Sequence, residues 1–300
     1  MYVITGATGN TGKIAAQRLL AQGQKVRAIG RSADRLQPLA TQGAEPFVAD
    51  LTDVDALTHA FSGAQGVYAM IPSDLASQDF RGYQNRVSDA LAQALARAGV
   101  KYVVSLSSIG ADKPEKTGPV VGLREFEEKL NQIAGLNVLH LRPGYFMGNT
   151  LAQVTTIRAF GKTAGPLRGD LKVPMIATQD IGVVAAEALV KHNFNGKQTR
   201  ELQGPRDLDY NDVTAIIAKA INKPDLQYVK LPDEQFRPVL LQLGMSGNVA
   251  DALLEMSASL NSGYMRALEK RSSQNTTPTF YETFVAKQFV PLYQGKSRAA

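Results

Sequence analysis

Tyr2-Val3-Ile4-Thr5-Gly6-Ala7-Thr8-Gly9-Asn10-Thr11-Gly12-Lys13 opens the chain. Three β-prone residues run into a turn with glycine at every third position, after which the apolar residues Ile14, Ala15, Leu19 and Leu20 follow a helical pattern that closes at Gly23. A strand that breaks into such a turn and continues as a helix aims backbone N–H groups and the positive helix end at one point. That arrangement suits a phosphate. In this reading Gly6 permits the tight turn, Gly9 lets the backbone approach a pyrophosphate, and Gly12 lets the helix pack close to the strand, with Thr8, Asn10 and Thr11 between them. The GxxxxGK[ST] loop is excluded, because it needs glycine where Ala7 stands and a hydroxyl where Ile14 stands.

The second strand, Lys25 to Ile29, ends in Gly30-Arg31-Ser32. At this place an acidic side chain bonds the ribose 2′-hydroxyl of NAD, whereas an arginine accommodates the 2′-phosphate of NADP. Arg31 and Ser32, with Lys13 and Arg35 close in sequence, point to NADP(H); otherwise Arg31 is a solvated charge at a strand end. A third strand over 44–50 ends in Asp50, so that Asp50 and Leu51 lie beside the adenine or Asp50 caps a helix over 52–61. The apolar run Gly66 to Pro72 reads as a buried parallel strand, whose end Ile71-Pro72-Ser73 should face the cofactor. A helix over 81–98, a strand over 101–108 ending in Ser107 and Ser108, a helix marked by Leu123, Phe126, Leu130 and Ile133, and a strand over 137–141 follow. Strand and helix alternate throughout, which predicts an α/β fold with a doubly wound parallel sheet.

The 300 residues, 44% of them hydrophobic, supply core for one large or two modest domains. With no cysteine there is no disulfide framework, thiolate nucleophile or cysteine-ligated metal, and His59, His140 and His192 are not spaced as a metal pair, so no metal is expected. No apolar run approaches the roughly 18 residues that would cross a bilayer, and a strand starting at Tyr2 leaves no room for a signal peptide. The expectation is a soluble cytoplasmic protein, monomeric or homodimeric. The net charge is +6 and the sequence pI about 9.4. Lys and Arg are nevertheless dispersed, which argues against a specific nucleic-acid partner. Only Lys296-Ser297-Arg298 is locally basic, in a tail expected to fray.

The Thr5-to-Gly12 turn, Gly30-Arg31, Ser107-Ser108-Ile109-Gly110-Ala111, the segment LRPGYFMGN from Leu141 to Asn149, and Gln179-Asp180-Ile181-Gly182-Val183 resemble the NmrA-like branch of the short-chain dehydrogenase/reductase superfamily. The resemblance covers nearly the full length, and LRPGYFMGN is its most specific piece, a wall of the substrate pocket in the family. It implies a Rossmann domain binding NADP(H) over residues 1–150, to which 172–203 return a helix and a strand. A smaller, mostly helical subdomain of 151–171 and 204–300 would close the pocket.

One signature is missing. Such reductases carry Tyr-x-x-x-Lys, in which the Lys holds the nicotinamide ribose and lowers the Tyr pKa. None of the ten tyrosines has Lys four residues later, and the family pattern sets Val120 and Arg124 at the two places. Arg124 can bond a ribose or polarise a carbonyl, but it cannot be a general base near neutral pH; otherwise it is a solvated helix charge. Ser108, with Ser107 beside it, falls where the superfamily's catalytic Ser or Thr lies, either to orient a substrate oxygen or to satisfy a strand end. Tyr145 is the one aromatic hydroxyl that the resemblance places near the pocket. The expected function is NADPH-dependent hydride transfer to a quinone-like or other conjugated small-molecule acceptor, which needs no dedicated proton donor when the product charge is delocalised. The alternative is a non-catalytic NADP(H) sensor that binds a protein partner.

Overall fold

Six short strands fall in the first half of the chain, and the inner ones are largely buried and mostly apolar, as strands covered on both faces must be. The six are β1 (Tyr2–Ile4), β2 (Val26–Gly30), β3 (Glu45–Val48), β4 (Gly66–Ala69), β5 (Tyr102–Leu106) and β6 (Asn137–Pro143). The structure, a computed structural model, describes residues 1–295, so the basic tail Lys296-Ser297-Arg298 lies outside the described residues. β1 to β6 and a seventh strand, Lys197–Leu202, form one parallel sheet in the order Lys197–Leu202, β6, β5, β4, β1, β2, β3. This is the doubly wound α/β sheet that the sequence predicts. Because the order reverses between β1 and β4, a crevice opens over their carboxyl ends, where such sheets bind ligands.

Adjacent residues of β1 serve opposite layers. Ile4 packs with Leu19 of α1 (Gly12–Ala21) and with Ile181 and Leu189 of the helix Thr178–Lys191. Val3 packs with Leu57 and Phe61 of α3 (Val54–Phe61) and Leu91 of α4 (Phe80–Arg97), in a layer that also holds Phe126 of α5 (Val120–Asn131). Between β2 and β3 runs α2 (Ala33–Ala40).

Three boundaries differ from expectation for local reasons. β4 stops at Ala69 rather than running through Pro72, because proline cannot donate to a ladder. α4 starts at Phe80, where Asp79 accepts from Gly82 N at 2.9 Å. α3 is capped by Asp53, whose carboxylate accepts from the amides of Asp55 and Ala56 at 3.1 and 3.0 Å, so Asp50 is not the cap.

Beyond β6 the chain builds two small sheets. Tyr145–Phe146 and Asp207–Leu208 flank Val173–Ile176 in one, and Thr163–Gly165 pairs with Tyr228–Lys230 in the other. Neither Tyr145–Phe146 nor Asp207–Leu208 is legible as a strand in the sequence. Because Lys197–Leu202 returns beside β6, we propose that 172–203 belongs with the nucleotide-binding half, and that 151–171 and 204–295 form the second unit. Among the described residues no helix is long and apolar enough to cross a membrane.

Candidate active site

Each glycine of the opening turn has its own reason. Gly6 has φ +59°, a left-handed backbone that side chains disfavour. A Cβ on Gly12 would collide with the Gly6 carbonyl oxygen and come within 3.0 Å of that of Thr5, so only glycine lets α1 start so close to β1. Gly9 is different: a Cβ there meets only the Gly6 oxygen, at 3.2 Å, and otherwise faces open space. The turn is fixed from below, where Thr5 Oγ1 donates to Tyr68 O at 3.1 Å and accepts from Met70 N at 3.0 Å. Tyr68 in turn donates its hydroxyl hydrogen to Thr11 Oγ1 at 2.9 Å.

Gly12→Ala is therefore expected to destabilise the fold by at least about 1 kcal/mol, since the atoms it strikes are backbone and cannot swing aside. The urea midpoint reads this directly. An unchanged midpoint would mean that α1 has slack.

Above the turn lies a cavity of about 900 Å³. Its polar end is made by Gly6 and Thr8-Gly9-Asn10-Thr11, by Arg31, Ser32 and Arg35 at the end of β2, and by Asp50 and Leu51 after β3. Ser32 caps α2 by accepting from Arg35 N at 3.4 Å, which sets the helix start beside both guanidinium groups. Neither Arg31 nor Arg35 enters an ion pair among the described residues. Asp50 holds Thr52 through its hydroxyl at 2.7 Å and its amide at 2.8 Å. Those bonds keep its carboxyl below the usual carboxylate range, with a smaller push from Arg31.

The other end is apolar and aromatic. Tyr145, Phe146 and Leu151 come from the segment after β6, Tyr210 from the helix Tyr210–Ala220, and Phe236, Met245 and Met256 from the pair of helices Asp233–Gln242 and Gly247–Asn261 with their connection. That pair is tied to the loop after β4: Ser246 N donates to Leu75 O at 2.9 Å, and Phe80 N donates to Asn248 Oδ1 at 3.0 Å. Met70, Pro72 and Ser73 of the same loop line the cavity between its two ends. The Tyr145 and Tyr210 hydroxyls lie 3.0 Å apart, and burial pushes both phenols above their ordinary pKa.

A turn open only over Gly9, unpaired arginines at the β2 end and an aromatic wall from LRPGYFMGN all meet in this one cavity, and the model of the NmrA-like family matches residues 2–286. The chain belongs to the NmrA-like family. It is 30% identical over 260 residues to the NAD(P)H azoreductase of Xenophilus azovorans, covering 86% of each chain. To quinone oxidoreductase 2 of Escherichia coli it is 28% identical over 267 residues, covering 88% of this chain and 89% of that one. A crystal structure of the NADPH-dependent quinone oxidoreductase QOR2 from Escherichia coli, complexed with NADPH, superposes with a TM-score of 0.75 at 24% identity, over 100% of this chain and 96% of that one.

Within this NmrA-like site, Gly6, Thr8, Gly9, Asn10, Thr11, Arg31, Ser32, Asp50, Leu51 and Tyr145 line the cavity. Gly12, Ile71, Ser107, Ser108 and Arg124 do not. Gly12 is buried beneath the turn, and Ile71 points into the core while Pro72 and Ser73 face the cavity. Ser107 is buried, and Ser108 Oγ donates to Ile109 O at 2.9 Å. Arg124 departs most from expectation, because its guanidinium pairs with Glu128 at 2.7 Å and donates to Asp112 O at 3.0 Å. Val120 packs against Ala111 and Met265. A pocket hydroxyl is also supplied by Tyr83 and Tyr210, which sequence reasoning missed, and the helix pair is part of the mostly helical region expected to close the pocket. Among the described residues no three His, Cys, Asp or Glu side chains are placed to hold a metal.

Proposed function

We propose that this chain is an NADPH-dependent reductase that passes a hydride to a flat, conjugated acceptor of the quinone kind. The observation that carries this reading is one continuous cavity, cationic and glycine-floored at one end, aromatic and apolar at the other. NADP(H) fits the first end on two grounds: Gly9 leaves a space that a Cβ would fill, and Arg31 and Arg35 are free to meet a 2′-phosphate. When bound, that cofactor supplies the hydride. The turn would hold the pyrophosphate, the two arginines would select the phosphorylated ribose, and Tyr145 and Phe146 would wall the acceptor against the reacting carbon. The azo- and quinone-reducing relatives support an oxidoreductase of this type.

Without Tyr-x-x-x-Lys, none of the described groups at the aromatic end is set to titrate near neutrality. Burial raises the pKa of Tyr145 and Tyr210 above the ordinary phenol range, so both keep their protons near neutrality. His140, bonded to Ser105 at 2.7 Å between β5 and β6, is pushed down to about 4 by burial and stays uncharged above that. Turnover is therefore expected to vary little from about pH 6 to 8.5. A single-turnover pH–rate profile with a steep basic limb would reveal a proton donor not named here.

The direct test is to mix the purified chain with NADPH and a panel of quinones and azo dyes, following the nicotinamide absorbance. Oxidation well above the non-enzymatic rate is expected. Tight NADPH binding with no turnover would select the sensor instead.

A further inference from the structure

The aromatic end of the cavity carries a hydrogen-bond imbalance. Tyr145 and Tyr210 face each other with hydroxyl oxygens 3.0 Å apart, and both line the cavity. Two hydroxyls carry two hydrogens, and the bond between them uses one. Neither donates to any further protein atom among the described residues. One O–H is thus left without a protein acceptor at the wall of a cavity lined by Phe146, Leu151 and Met256 as well as by Asn149 and Gln153. A donor left free at a cavity wall is available to an acceptor atom on a ligand.

The neighbours decide which hydrogen is free. Tyr210 is buried at 6% exposure, its ring stacked on Tyr228 with centroids 4.8 Å apart, and the Tyr228 hydroxyl is itself committed to Leu167 O at 2.7 Å. Tyr145 is less deeply set. Tyr210, the more deeply buried of the two, spends its hydrogen on Tyr145, and the hydrogen on Tyr145 is the one turned to the cavity.

We propose that Tyr145, oriented by Tyr210, donates a hydrogen bond to a carbonyl oxygen of the acceptor and holds the negative charge that gathers there as hydride arrives. This rests on the reductase reading above, and it favours conjugated carbonyl compounds over acceptors that end with no charge on oxygen. Hydride brings two electrons and one hydrogen to the quinone, and the resulting hydroquinone monoanion is held by Tyr145. The second hydrogen comes as a proton from water, so that quinone, NADPH and H⁺ give hydroquinone and NADP⁺. Tyr145 is then a catalytic residue and Tyr210 a positioning residue.

The test compares Tyr145→Phe and Tyr210→Phe in the full chain. For quinone reduction, kcat of Tyr145→Phe should fall about 100-fold, the usual effect of deleting one oxyanion donor, with NADPH affinity unchanged. Tyr210→Phe should lower kcat about fivefold to tenfold, as expected for one neutral hydrogen bond, again without a change in NADPH affinity. A second readout needs no turnover: 4-nitrophenolate, a flat anion with its charge on oxygen, should bind the NADP⁺-loaded wild type about tenfold more tightly than Tyr145→Phe. Equal phenolate affinities, or an unchanged kcat in Tyr145→Phe, would overturn the proposal. So would a parallel loss of NADPH affinity, since the residue would then serve the cofactor. Wild type that shows the phenolate preference but reduces no quinone sinks the reductase reading while the donor stands.

Discussion

Gly9→Val is expected to weaken NADPH binding by more than about 100-fold, or 2.7 kcal/mol, while leaving the fold in place. The three turn glycines predict different failures, and only Gly9 separates binding from folding. Gly6 needs a left-handed backbone, and a Cβ on Gly12 strikes backbone oxygens, so changes at either act on the folded chain itself. At Gly9 the nearest protein atom to a Cβ is 3.2 Å away, and the space beyond is the cavity floor. A branched side chain there fills the place where a pyrophosphate must approach the amides at the start of α1. Fluorescence titration with NADPH reads the affinity, and circular dichroism reads the fold. Normal binding by the variant would make the turn a structural feature only.

Arg31→Ala should cost NADPH about 1.5–3 kcal/mol, roughly tenfold to a hundredfold in affinity, and leave NADH nearly unaffected. Arg31 lies at the end of β2 with no ion pair among the described residues, so its charge is not already neutralised by the protein. Asp50, the acid closest to the expected ribose site, is occupied with Thr52 and does not supply the contact that an NAD site requires. Wild type should prefer NADPH over NADH at least about tenfold, and the variant should lose most of that preference. Equal wild-type affinities for the two cofactors would remove Arg31 from the account.

The polar half of the site is legible in the sequence because it is local. Strand, turn and helix are contiguous from Tyr2 to Ala21, and Arg31 follows its strand directly, so chain order alone sets these residues around one point. The aromatic half is not local. Tyr210 reaches Tyr145 because Asp207–Leu208 pairs antiparallel with Val173–Ile176, which pairs parallel with Tyr145–Phe146, and the helix bearing Tyr210 begins just after. No spacing along the chain encodes that relay of two short strands. The helix pair is legible as helices, yet its seat over the cavity depends on bonds from Ser246 and Asn248 to a loop some 170 residues earlier.

Arg124 shows the opposite error, in which counting along a motif chose a residue whose charge the fold spends elsewhere. Its partner Glu128 lies one helical turn on, an i,i+4 pair that was visible in the sequence, but the carbonyls of Ala111 and Asp112 that complete its environment were not. Ile71 was misplaced by one position, since a residue before proline cannot be assigned a face from strand alternation once the ladder has ended at Ala69.

The most direct test of hydride transfer in this cavity is one turnover, started by mixing NADPH-loaded protein with a quinone and following the nicotinamide absorbance. Bound NADPH should be oxidised much faster than free NADPH with the same quinone, and more slowly when the transferred hydrogen is deuterium. NADPH that stays bound and is consumed only at the non-enzymatic rate, across a panel of quinones, would contradict it.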